Sequence, residues 1–168
     1  MKLILAMPVK LTEIASRFPD WLSLLFLRFA LAVPFFYSGL TKWDGFLSLS
    51  GNAIFLFKEE FKLHLFGRII DYPAPVIAAW LSGIFEIVLP ILLVVGLATR
   101  LSALGLLIMT VIIQVTIPDG WANFHLPWAA MAIAIMSFGP GKLSLDRLLS
   151  IDKPATSMGT ERLTENRS

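Results

Sequence analysis

Two charges stand where charge is costly. Arg28 lies inside the apolar run WLSLLFLRFALAVPFFYSGL, and Glu86 lies near the middle of WLSGIFEIVLPILLVVGLATR. Each run is long enough to cross a bilayer core. An ionisable group at that depth costs roughly 2.5 kcal/mol or more unless it meets a partner, so it marks either a structural lock or a site. Arg28 sits about seven residues in from one end of its helix, roughly 10 Å at the helical rise. Glu86 sits about ten residues from the same membrane face, roughly 15 Å by the same rise. An arginine side chain covers the difference, so the spacing predicts an Arg28–Glu86 pair. As a lock, such a pair would leave an uncompensated charge if either partner were removed, at about 3–5 kcal/mol. As a site, Glu86 would accept a proton or hold a polar ligand, with Arg28 as an anion-binding fork.

A second polar group gathers at the opposite face. Lys42 and Trp43 end the first apolar run, Gln114 falls near the end of the third, and His125 and Trp128 open the fourth. Singly, these are ordinary interface anchors. Together they could hold the headgroup of a quinone, whose carbonyl oxygens accept hydrogen bonds and whose tail prefers lipid.

Other chemistries are set aside by composition. The chain has no cysteine, which removes disulfides, thiol relays, thiolate-bound zinc and iron–sulfur clusters. Its two histidines, His64 and His125, are poorly placed for a buried bis-histidine haem, and its six methionines are scattered. Gly139-Pro140-Gly141-Lys142 lacks the spacing of a phosphate loop and reads as a helix stop. No metal site, intrinsic cofactor or catalytic motif is expected. A net charge of +2 with no basic aromatic stripe argues against nucleic acid as a partner.

The elements that position these residues follow from hydropathy. With 57% hydrophobic and 15% charged residues among 168, the chain cannot bury its apolar surface in one small soluble core, and its mean hydropathy of +0.76 agrees. It reads as an all-α integral membrane protein with four antiparallel spans at about 21–40, 76–95, 101–117 and 124–138. Residues 1–20 read as an amphipathic surface segment, too short and interrupted in their apolar run for a secretory signal. Residues 21–150 form the transmembrane domain, and the polar stretch 151–168 is expected to be disordered. Between the first two spans, residues 52–70 are too polar at their centre to cross and read as helix or half-helices lying at the interface.

Basic residues set the orientation. Lys2, Lys10, Arg17, Arg100 in the second connection, Lys142, Arg147, Lys153, Arg162 and Arg167 fall on one side; Lys42, Lys58, Lys62 and Arg68 fall on the other. Both termini are therefore expected in the cytoplasm, with the chain in a bacterial inner membrane.

Three stretches, LRFALAVPFFYSGLTK, GIFEIVLPILLVVGLATRLSALGLLIMT and FGPGKLSLDRLL, resemble the DoxX family of four-helix bacterial membrane proteins over residues 22–149. The arginine, the SGLTK end, the glutamate and the GLATR turn fall in the family's order. The resemblance implies association with membrane redox systems, including a subunit of thiosulfate:quinone oxidoreductase. The implied partners are the bilayer and a membrane or periplasmic oxidoreductase, with electrons carried by quinone or by that partner. Two other roles are open: a small permease or export accessory for a polar solute, metal or metal-binding peptide, and a scaffold recruiting a partner through 52–70.

Overall fold

The computed structural model describes residues 16–151 together with Thr12. The expectations for the amino-terminal segment and the tail beyond Ile151 fall outside the described residues. Four longer helices dominate: α1 (Asp20–Leu40), α3 (Pro75–Val95), α4 (Thr99–Thr116) and α5 (Leu126–Phe138). A short helix, α2 (Gly51–Phe55), stands in the first connection, and α6 (Leu145–Leu148) follows α5. Among the described residues, α1, α3 and α4 are long and apolar enough to cross a membrane. The thirteen residues of α5 would by themselves rise only about 20 Å. A 3₁₀ turn over Pro118–Gly120 and a π turn over Trp121–His125 lead into α5 without a break.

Helix α1 packs against α3 and α5, and α4 packs against the same two. Their shared interior is apolar. Leu31, Ala32 and Phe35 of α1, Leu93 of α3, Leu106 of α4 and Ile135 of α5 are buried there. The outward faces are apolar as well: Ile77, Leu81, Phe85, Val88, Ile91 and Val95 recur at helical spacing along α3 and are all exposed. A helix apolar on both faces is buried in protein on one side and in lipid on the other.

The first connection differs from the helical segment expected at 52–70. Ser50 caps α2 by accepting from the Ala53 amide at 3.1 Å, and a π turn, Leu56–Glu60, extends it. Two hairpins flank this helix: β1 (Trp43–Gly45) with β2 (Ser48–Leu49), and β3 (Lys62–Leu65) with β4 (Arg68–Asp71). In the second, Leu65 pairs with Arg68 across a two-residue loop in which Phe66 and Gly67 both take positive φ, 50° and 77°. Two such residues make the tight turn whose twist matches paired strands. The helical expectation fails because Lys62–Leu65 alternates at period two, and because Gly67 marks a turn rather than a helix end. The hairpin docks on the end of α4, where His64 Nδ1 meets the Val115 carbonyl at 3.2 Å.

Candidate functional site

The predicted Arg28–Glu86 pair does not form. Arg28 is 1% exposed and donates to four backbone carbonyls: Leu93 from Nε at 2.8 Å, Val94 from Nη2, and Pro140 and Leu143 from Nη1 at 3.0 and 2.6 Å. The guanidinium thus adds a donor at carbonyls in the last turn of α3, where Leu93 also accepts from the Gly96 amide at 3.2 Å, and ties that end to the turn after α5. Gly96 ends α3 with φ of 78°, and a Cβ there would sit 2.8 Å from Arg28 Nη2 and 2.6 Å from Ser144 Cβ. Asp146, 3% exposed, completes the cluster. Its carboxylate oxygens accept from the Ala98 and Thr99 amides, both at 2.7 Å, capping α4. Arg100 closes the neighbouring gap by donating to the carbonyls of Met136 and Ser137 at the end of α5.

The expectation assumed that the helix ends lie flush. They do not: Arg28, eight residues into α1, is level with Leu93 and Val94, almost the last residues of α3. Glu86 lies eight residues earlier in α3, roughly 12 Å farther along the axis. The carboxylate therefore faces the other end of α1. Gly39 makes that meeting close, since a Cβ there would lie 2.9 Å from Ile87 Cγ1 and 3.0 Å from the Glu86 backbone.

Glu86 instead pairs with Lys42, one of the residues read as a headgroup contact. Lys42 Nζ lies 2.5 Å from Glu86 Oε2, with the two side chains only 12% and 4% exposed. Ser82, one turn before Glu86, donates to Oε1 at 2.7 Å, and Lys42 also donates to Ser38 Oγ at 3.1 Å. Both serines escaped the sequence reading, although each stands four residues before its charge, the helical spacing that brings side chains together. Two of the three ammonium hydrogens are thereby used within the protein.

This pair forms part of the wall of a cavity of about 490 Å³. Phe35, Met109, Ile113 and Trp128 line its inner side, and Leu81, Phe85 and Ile112, all on outward faces, line the side toward the molecular surface. Phe57, Phe61 and Tyr72 of the first connection close one end, with their rings in edge contact. Thr116 donates to the Ile112 carbonyl at 2.8 Å, so Tyr72 donates to Thr116 Oγ1 at 2.6 Å. Apart from these hydroxyls and the Trp128 indole, the polar side chains among the described residues of the wall are Lys42, Glu86, Ser38 and Ser82.

The predicted ligand residues divide accordingly. Lys42 and Trp128 line the cavity. Gln114 and His125 lie behind Trp128: His125 Nδ1 is 2.6 Å from Gln114 Oε1, and its ring is tilted against Trp128 with the centroids 5.5 Å apart. Trp43 lies outside the wall, over Gly83, where a Cβ would approach its ring to 2.7 Å, and edge-on to Trp80. No group of metal-ligating side chains occurs among the described residues.

These features define a helical membrane protein with an apolar cavity, a buried ion pair in the cavity wall, and, at the opposite end, a buried arginine and a buried aspartate that each bind backbone groups. The DoxX family pattern matches residues 23–119, and the chain belongs to that family. A protein of Haemophilus influenzae described as uncharacterized is 32% identical over 143 residues, covering 80% of this chain and 88% of its own length. No solved structure matches the chain.

Proposed function

We propose that the cavity receives the headgroup of a membrane quinone and that the protein is the membrane subunit of a quinone-linked redox assembly. In this reading residues 118–138 form a fourth span, the bundle is antiparallel, and both termini face the cytoplasm of a bacterial inner membrane. The observation that carries it is one ion pair set in an otherwise almost wholly apolar wall, beside outward-facing Leu81, Phe85 and Ile112. A ligand of that description is lipid-soluble, enters sideways from the bilayer, and presents one or two hydrogen-bond acceptors. The volume lies within the range of about 300–1,000 Å³ typical of small-molecule sites.

The third ammonium hydrogen of Lys42 is the donor for a ligand carbonyl, and Glu86, held by Ser82, is the proton reservoir behind it. Reduction of a quinone to the quinol takes two electrons and two protons. Lys42 and Glu86 can move protons, and the electrons come from a partner oxidoreductase. Leu31, Ala32, Phe35, Leu93 and Leu106 fill the interior between this pair and the Arg28 cluster, which favours a closed site over a path for a polar solute.

Purification in native lipid followed by organic extraction tests the reading. Stoichiometric quinone is expected, and its repeated absence would defeat it.

A further inference from the structure

A second hollow, about 430 Å³, opens at the end of the molecule away from Lys42. Three elements build it: Asp20, Trp21 and Leu24 from the start of α1, Arg100 from the first turn of α4, and Phe138, Lys142 and Arg147 from the end of α5 through α6. Among the described residues, three cations face one carboxylate. Arg100 is held in place by the carbonyls at the end of α5, whereas Lys142 and Arg147 are exposed. Going from Asp20 to Leu24 runs roughly 6 Å along α1, so a charged residue gives way to an apolar one within the thickness of one lipid headgroup.

We propose that this hollow binds the glycerophosphate headgroup of an anionic phospholipid of the phosphatidylglycerol class. Lys142, Arg147 and Arg100 face the phosphodiester, for which arginine offers paired donors. Asp20 accepts from the headgroup hydroxyls, which a glycerol supplies. Trp21 and Phe138 flank the ester region, where amphipathic and aromatic side chains settle. The charge balance selects an anionic lipid over a zwitterionic one, and each cation near the membrane surface is worth about a fivefold gain in binding. This site shares no lining residue with the quinone cavity and stands independently of it.

The full chain, purified in detergent and offered equal amounts of phosphatidylglycerol, phosphatidylethanolamine and phosphatidylcholine, is read by native mass spectrometry. Phosphatidylglycerol is expected to be retained preferentially. The double variant Lys142→Gln/Arg147→Gln should lower that preference by an order of magnitude or more, and Arg68→Gln, in the distant hairpin, should leave it unchanged. Both altered residues are exposed; should the double variant fail to fold, Lys142→Gln alone gives the same reading at about fivefold. The proposal is overturned by no preference in the unaltered chain, a preference for phosphatidylethanolamine, an unchanged preference in the folded double variant, or an equal loss with Arg68→Gln. Inorganic phosphate serves as a further competitor. Failure to displace the lipid supports a lipid site; full displacement at comparable concentration marks a free-anion site and overturns it.

Discussion

At the scale of single residues, the partners of a buried charge decide what its loss costs. Lys42→Met strands Glu86 in a wall where its side chain is 4% exposed, and an uncompensated buried charge costs about 3–5 kcal/mol. The double variant Lys42→Met/Glu86→Leu removes both charges and should recover most of that stability, since well-packed apolar substitutes for a buried pair are often neutral. Denaturant unfolding in detergent distinguishes the two, and equal losses would contradict the pairing. Glu86→Gln keeps the Ser82 contact and removes the exchangeable carboxylate proton. The proposed function then predicts a folded protein with lowered quinone turnover in its assembly. Arg28 answers differently. Lysine has three donors on a flexible stem and cannot reach carbonyls on both sides as a planar fork does. Arg28→Lys should therefore cost about 1–3 kcal/mol through acceptors left unsatisfied, read as a lower unfolding midpoint.

At the scale of elements, close approach is set by residues without side chains. A Cβ at Gly39 would stand 2.9 Å from Ile87 Cγ1 and 3.0 Å from the Glu86 backbone, so Gly39→Ala must push α1 from α3 beside the ion pair. A loss of about 1–3 kcal/mol is expected. Gly51→Ala, with nothing within 4 Å of the added carbon, is the control and should change stability little. Equal losses at both positions would show that Gly39 does not set the approach. Much at this scale was legible in the chain. Apolar runs expected at 21–40, 76–95 and 101–117 correspond to helices Asp20–Leu40, Pro75–Val95 and Thr99–Thr116. Each is bounded by local punctuation, such as Pro75 at the start of α3 and Gly96 after its end. The second hairpin was less legible, because four-residue strands carry too few alternations to outweigh an apolar run that also fits a helix.

For the whole molecule, the proposed topology makes a direct prediction. The chain has no cysteine, so single cysteines report without background. Phe46 and Phe66 stand at the tips of the two hairpins, 97% and 104% exposed, and Leu148 is 78% exposed at the other end. In intact cells a membrane-impermeant maleimide should label Phe46→Cys and Phe66→Cys, and should reach Leu148→Cys only after permeabilisation. The reverse pattern would invert the proposed orientation. Among the described residues, the Lys42–Glu86 pair lies toward one of these ends and the Arg28 cluster toward the other, separated by a packed apolar interior.

Membrane class, helix positions and family could be read from the chain alone, because hydropathy, turn residues and motif order are local properties. The tertiary structure decided which charge meets which. Depth counted within one helix says nothing about how far its neighbour is shifted along the axis. Here Arg28 lies level with the end of α3, and Gly39 brings the opposite end of α1 against Glu86. That shift gives the carboxylate to Lys42 and leaves the guanidinium to backbone carbonyls, while the buried Asp146 caps α4.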